Sequence, residues 1–266
     1  MHPFKLHRVP SLKAAADTFA AGAEARFLAG GQTLIPVLKQ RLASPSDLVA
    51  LAGVPDLAGI RLGTGTITIG AMTRHADVAA SADVARLIPA LAHLAGGIGD
   101  PHVRNRGTIG GSLANNDPAA DYPAAVLGLG ATVVTDRRRI AADDYFQGLF
   151  TTALAEGEIL TAVEFPVPER AGYVKFPHPA SRYCMVGVMV AKTAGGVRVA
   201  VTGAGQDGVF RVGEMEAALD ASFTAEALAG IAVAPDDMMT DIHADARYRA
   251  HLIAVLARRA VKSALA

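Results

Sequence analysis

Two segments place paired glycines beside small hydroxyl and amide residues: Ala29-Gly30-Gly31-Gln32-Thr33-Leu34-Ile35-Pro36, and Thr108-Ile109-Gly110-Gly111-Ser112-Leu113-Ala114-Asn115-Asn116-Asp117-Pro118. A helix signal begins within a few positions of each pair. Exposed amides and the positive helix end can then face a phosphate, with no side chain to hold it off the main chain. Two such loops in one chain can hold both halves of a pyrophosphate. The same glycines also fit tight turns between packed elements, and spacing alone leaves both readings open.

The other chemistry-bearing residues are scattered. A single cysteine, Cys184, excludes a disulfide, and it excludes an iron–sulfur cluster held by this chain alone. It stands in an apolar strand signal with no basic neighbour, as a small buried side chain would. The eight histidines form no His-x-x-x-His pair and have no carboxylate at ligand spacing, so no dedicated metal site is expected. Gly203-Ala204-Gly205-Gln206-Asp207-Gly208 fits G-x-G-x-x-G after the strand VRVAVT. Another apolar alternation, VFRV, follows it, and Asp-Gly favours a hairpin, so a strand–turn–strand unit is expected there and not a dinucleotide-binding one.

These residues sit in a chain with the composition of a folded protein: 266 residues, 51% hydrophobic, 19% charged and a mean hydropathy of +0.30. Twenty-five basic side chains balance 25 acidic ones, leaving no field to concentrate nucleic acid, so no nucleic-acid partner is expected. The longest stretch free of Asp, Glu, Lys and Arg, Tyr122 to Thr135, falls short of the about 20 residues a membrane span needs. The start MHPFKLHRVP lacks the apolar core of a signal peptide, and a cytoplasmic location is expected.

Helix and strand signals mix along the chain, giving an α+β fold in three parts: residues 1–57, 58–168 and 169–266. Ser11 caps a helix ending near Gly22, Ala25 to Ala29 is a brief strand, and Thr33 is placed to cap a helix that tolerates Pro36 in its first turn. Asp47 to Leu51 and Ile60 to Ile69 read as extended. Residues 75–95 read as helical with a break near Pro89, and a second helix signal, YPAAVLGLGA, precedes the strand ATVVT. After EFPVP, three short strands (YCMVGVMVAKT, GGVRVAVTG, DGVFRV) lead to helix signals in EMEAALDA and in RYRAHLIAVLARRAVKSALA. The last helix is expected to pack through Tyr248, Leu252, Val255 and Leu256.

The strings AGGQTLIPVLKQR and VRNRGTIGGSLANNDPAADYPAAV closely resemble the two flavin-binding signatures of the medium subunit of molybdenum hydroxylases, the FAD subunit of the carbon monoxide dehydrogenase and xanthine dehydrogenase family. The resemblance continues through Lys175, ASRYCMVGVMVA and YRAHLIAVLARRAV in the expected order, and so covers nearly the whole chain. It implies a two-part FAD-binding α/β domain of the PCMH type followed by a small C-terminal sheet-plus-helices domain. By resemblance Ala29, Gly30, Gly31, Gln32, Thr33 and Leu34 form the first pyrophosphate loop. Thr108, Gly110, Gly111 and Ser112 form the second. Asn115, Asp117 and Asp121 lie beside sugar or phosphate hydroxyls, although Asn115 stands where many relatives have histidine, and Asp121 can instead cap the following helix. Lys175 lies near the flavin, where a cation favours the reduced ring; as a bare sequence feature it is an exposed lysine at a strand end. Tyr183 covers the ring, with Ile98 and Leu160 along its edges, and each of the three is otherwise an ordinary apolar position.

The function implied is an FAD-binding electron-transfer subunit of a multi-subunit molybdenum hydroxylase, passing electrons from iron–sulfur clusters to an external acceptor. No catalytic acid or base is required of this chain. The implied partners are an iron–sulfur small subunit and a molybdopterin large subunit, assembled as a dimer of heterotrimers. A stand-alone flavin oxidase and a non-redox nucleotide-binding module are the alternatives. If Gly111 borders the phosphate, Gly111→Val abolishes flavin retention while the chain stays folded; unchanged FAD affinity in that variant contradicts the loop assignment.

Overall fold

In the computed structural model, which describes residues 1–266, the opening fifty residues form a three-stranded parallel sheet. β1 (Lys5–Arg8) and β2 (Ala25–Leu28) flank β3 (Asp47–Ala50). Between β1 and β2 runs α1 (Leu12–Ala21), where the Ser11 hydroxyl accepts the Ala14 amide and Gly22 ends the helix. α2 (Leu34–Lys39) follows the first glycine pair and carries Pro36 in its first turn, where no amide is needed. Thr33 does not cap it: its backbone is already helical (φ −103°, ψ −53°) and its hydroxyl makes no capping bond.

The middle of the chain supplies a five-stranded antiparallel sheet in the order β4-β5-β10-β6-β7. β4 (Ile60–Gly63) and β5 (Thr66–Gly70) are a hairpin whose turn uses Gly65 at φ +68°. The helical stretch after it is three helices: α3 (His75–Ala80), α4 (Ala82–Leu87) and α5 (Pro89–Gly96). Ser81 ends the first and caps the second through the Val84 amide, and Pro89 opens the third. Then come α6 (Pro101–Arg104), α7 (Ile109–Asn115) and α8 (Tyr122–Gly128). β6 (Thr132–Thr135) and β7 (Arg139–Ala141) follow, then α9 (Ala142–Tyr145) and the small hairpin of β8 (Phe146–Gly148) and β9 (Thr151–Thr152). β10 (Leu160–Pro166) returns to the centre of the sheet between β5 and β6.

The C-terminal sheet has four antiparallel strands where the sequence suggests three: β11 (Arg170–Pro177), β12 (Cys184–Thr193), β13 (Gly196–Gly205) and β14 (Gly208–Arg211). Gly172, Lys175 and Pro177 disguise β11. Gly172 lies where α11 (Ala246–Leu265) crosses the strand, and any Cβ there would overlap the Ala260 carbonyl. β13 and β14 turn back at Gln206-Asp207, so the G-x-G-x-x-G match is a hairpin as expected. α10 (Gly213–Ala221) and α11 cover the sheet. The packing stripe of α11 is Leu252, Ile253, Leu256, Ala257, Ala260 and Val261, with a buried Arg249 at its start. Tyr248, expected inside, is exposed.

One core joins the last two sheets. Tyr173, Met189, Ala191 and Ala200 belong to the same buried cluster as Ile67, Ile69, Val133 and Phe165, and α8 is the layer between them. Gly128 of α8 lies so close to β12 that a Cβ would come within 2.7 Å of the Met189 side chain. The crossing of α11 over β11 yields the first structural test. Gly172→Ala forces two main chains apart and lowers the urea midpoint by the equivalent of about 1–3 kcal/mol; an unchanged midpoint contradicts the close approach.

Candidate functional site

Residues Ala29 to Thr33 lead from β2 to α2. Gly31 has φ +73°, a left-handed turn that glycine takes without strain. Gly30 lies against the main chain of the second glycine-rich segment: a Cβ on it would overlap the Arg106 carbonyl and come within 2.9 Å of Gly107 Cα. The two loops therefore adjoin. The backbone N–H groups of Gly30, Gly31, Gln32 and Thr33 donate to no acceptor within the chain. Gln32 folds back over its own turn, its Nε2 donating to the Gly30 carbonyl at 3.3 Å. Four successive free amides are a donor set of the kind an anion can use.

The second loop differs from what its spacing suggests. Four of its five amides are already used: Ile109 N–H donates to Thr73 O, Gly110 N–H to Ala71 O, Gly111 N–H to the Thr108 hydroxyl and Ser112 N–H to Thr108 O, and the Thr108 N–H alone has no acceptor. Thr108 is the buried N-cap of α7. Gly110 is a packing glycine, since a Cβ there would come within 2.5 Å of Ala71 Cβ. Gly111 also faces the first loop, where a Cβ would stand 3.4 Å from that of Ala29. The first loop supplies donors and the second supplies a floor locked to β5 and its following turn. Asn115, Ser112 and Asp117 are partly exposed beyond that floor, and Asp117 Oδ1 accepts the Ala119 amide at 2.9 Å.

Of the remaining candidates, Asp121 does not make the helix cap that its position suggests. Its side chain is only 5% exposed. Tyr173 donates its hydroxyl to Oδ1 at 2.7 Å, and the Lys175 ammonium lies 3.0 Å from the same oxygen. Burial pushes the carboxyl up from its ordinary range, against the pull of Lys175 and Tyr173. Lys175 is correspondingly no exposed strand-end lysine; its side chain is 11% exposed. Leu160 is packed into the core and has little surface to offer a ligand, whereas Ile98 is half-buried and Tyr183 is 68% exposed. Cys184 is buried 3.6 Å from the Tyr173 hydroxyl, and burial raises its thiol far above the ordinary range, consistent with an inert side chain.

Several residues that shape the site carry no sequence signal of their own. His75 lies under the second loop: its amide donates to Gly107 O, and a Cβ on Gly107 would come within 2.6 Å of the His75 ring. Asn116, in left-handed backbone at φ +45°, donates its amide nitrogen to Gly148 O and Thr151 O, both at 2.8 Å, and ties the end of α7 to the β8–β9 hairpin. Asparagine tolerates that conformation better than other side chains do, the one cue its identity offers.

Residues 2–168, which hold both glycine loops, match the family described as the FAD binding domain in molybdopterin dehydrogenase. The chain belongs to this family. It is 34% identical over 260 residues to the carbon monoxide dehydrogenase medium chain of Hydrogenophaga pseudoflava, covering 92% of this chain and 91% of that one. It is 36% identical over 268 residues to the nicotine 6-hydroxylase medium subunit of Paenarthrobacter nicotinovorans, covering 96% and 94%. Among solved structures, carbon monoxide dehydrogenase from Hydrogenophaga pseudoflava superimposes with a TM-score of 0.88 at 32% identity, covering 100% of this chain and 98% of that one. The family likeness thus runs through all three sheets, and the chain is an FAD-binding oxidoreductase subunit of the molybdenum hydroxylase type. No helix is long and apolar enough to cross a membrane.

The support under the second loop is sensitive to acid. Burial lowers the His75 pKa from 6.5 to about 4, so the ring is neutral in the fold. A folded-state value below the unfolded one means stability is present above about pH 6.5 and is lost as pH falls toward 4, by at most about 3 kcal/mol. Urea unfolding across that window will show the decline, and His75→Gln will flatten it. An equal slope in both proteins contradicts the assignment.

Proposed function

We propose that the pyrophosphate of FAD lies at the junction of residues 29–34 and 108–112, with the ring directed toward Ile98, Lys175 and Tyr183. The observation that carries this reading is the run of four unpartnered amides at Gly30 to Thr33, pressed against a second loop in which only the Thr108 amide is unpartnered. The donor set suits the group: neutral main-chain N–H groups and hydroxyls of Thr33 and Ser112 meet phosphate oxygens, and glycine at 111 leaves the approach clear. Asn115 and Asp117, partly exposed beyond the floor, are assigned to the sugar hydroxyls. Asp121 and Leu160 are assigned structural roles.

When bound, FAD supplies the interchange between one-electron and two-electron transfer, and the protein supplies position and electrostatics. The paired second loop fixes the floor before ligand arrives, so little ordering is needed on binding. The half-buried Ile98 and the exposed Tyr183 are available to exclude water from the ring. No group of this chain need act as acid or base. The chain works as the electron-transfer subunit between an iron–sulfur small subunit and an external acceptor, in a complex with a molybdopterin large subunit assembled as a dimer of heterotrimers. Its single buried cysteine leaves clusters to the partner chains.

The test is spectroscopic. The purified chain will take up FAD with a rise in melting temperature. The bound chromophore will keep its colour when small organic substrates are added and lose it when the reduced iron–sulfur subunit is added. Bleaching by a small substrate alone indicates a stand-alone oxidase instead, and the absence of both colour and thermal shift excludes a flavin role.

A further inference from the structure

Lys175 and Tyr173 lie two residues apart on β11 and so share one face of the strand, toward α5 and α8. Gly187, paired with Lys175 across the sheet, leaves space for the Tyr173 hydroxyl; a Cβ there would stand 2.5 Å from it. An ammonium has three donors and no acceptor. Those of Lys175 meet three acceptors from separate parts of the chain: Gly97 O at the end of α5 (2.8 Å), the Asp121 carboxylate ahead of α8 (Oδ1 at 3.0 Å, Oδ2 at 3.2 Å) and Arg182 O before β12 (3.3 Å). Asp121 is fixed in turn by Tyr173 and by its own segment, since Thr202 donates its hydroxyl to Ala120 O at 2.7 Å and Gly203 N–H donates to Pro118 O.

The neighbours of these acceptors are Ile98 and Tyr183. Arg182 has left-handed backbone at φ +62°, and the loop 178–183 closes on itself: His178 N–H donates to Tyr183 O, Arg182 N–H to His178 O, and the Ala180 and Ser181 amides to His178 Nδ1. The His178 ring also packs edge-on against His243, and Lys175 bonds the loop back to α5. Burying an ion pair costs desolvation that its attraction barely repays, so such a pair is better explained by the arrangement it specifies than by stability.

Resting on the reading of the flavin site given above, we propose that Lys175 is a positioning residue. Its ammonium, neutralised by Asp121 and with every proton engaged, holds the Gly97–Ile98 backbone and the Tyr183 loop at a fixed separation on either side of the ring, and it does not serve as a free counter-charge to the reduced flavin. Tyr173 acts one step behind it by orienting the carboxylate.

Hydrogen exchange on the full-length chain without FAD reads the clamp, and flavin titration with visible circular dichroism reads its consequence. In Lys175→Met, amides of 97–98 and 180–183 will exchange at least about tenfold faster while those of 109–115 keep wild-type rates, and FAD affinity will fall about tenfold with a changed dichroic band. Lys175→Arg will recover part of both. Tyr173→Phe, which removes one hydroxyl, will show the same pattern more weakly and serves if the lysine variant fails to fold. Wild-type exchange in both Lys175→Met and Tyr173→Phe overturns the clamp. Faster exchange with unchanged affinity and dichroism overturns its link to the flavin. A wild-type chain that takes up no FAD overturns the proposed function instead, and the exchange result then reports the clamp alone.

Discussion

The site rests on one close approach, the main chain of Gly30 against the main chain of Arg106 and Gly107. No side chain fits between them, and the meeting of the two loops depends on that contact. It brings a parallel sheet built by the first fifty residues against a separate antiparallel sheet. It sets the loop with four free amides beside the other, with Ala29 next to Gly111. The glycines clustered in the second segment answer to further close approaches of their own. Gly107 makes room for His75 and Gly110 for Ala71, and Gly111 has its open side toward Ala29 of the first loop. Most of the glycine there answers to the packing of the protein against itself.

A second constraint operates on the opposite side. The buried set of Tyr173, Asp121 and Lys175 joins β11, the segment before α8, the end of α5 and the loop before β12. Arg249, 2% exposed, extends this polar framework toward the C-terminus: it donates to Met185 O and Gly203 O, both at 2.7 Å, and to Asp241 at 2.7 Å. Gly203 in turn bonds Pro118 in the segment that ends at Asp121. The C-terminal sheet and its long helix thereby bear on the segment 118–121, which follows the second glycine loop in the chain. This accounts physically for a third part that contributes few ligand-facing groups yet is continuous in its core with the second.

Much of this was legible in the residues. The glycine pairs, the Ser11 and Ser81 caps, the proline at the head of α5 and the Asp-Gly hairpin follow from local backbone preference, which one sequence window contains. What escaped depends on contacts between distant residues. Thr33 and Asp121 both look like helix caps, but capping is one use of a short polar side chain among several, and Asp121 is instead drawn to Tyr173 and Lys175, more than fifty positions away. Lys175 reads as an exposed strand residue because charge predicts solvent, and only the fold reveals the carboxylate and carbonyls that receive it. β11 was hidden because Gly172 answers to the helix crossing it and not to the strand it occupies. The spent amides of the second loop could not be read from spacing, since their acceptors lie on the chain following β5 as well as within the loop.

A crystal structure of the chain grown with FAD tests the central claim most directly. The account predicts diphosphate density in the angle between Gly30–Thr33 and Thr108–Ser112, with the four free amides of the first loop directed at its oxygens. Cofactor density at another place, or that angle left closed by the protein's own side chains while FAD is bound, contradicts it.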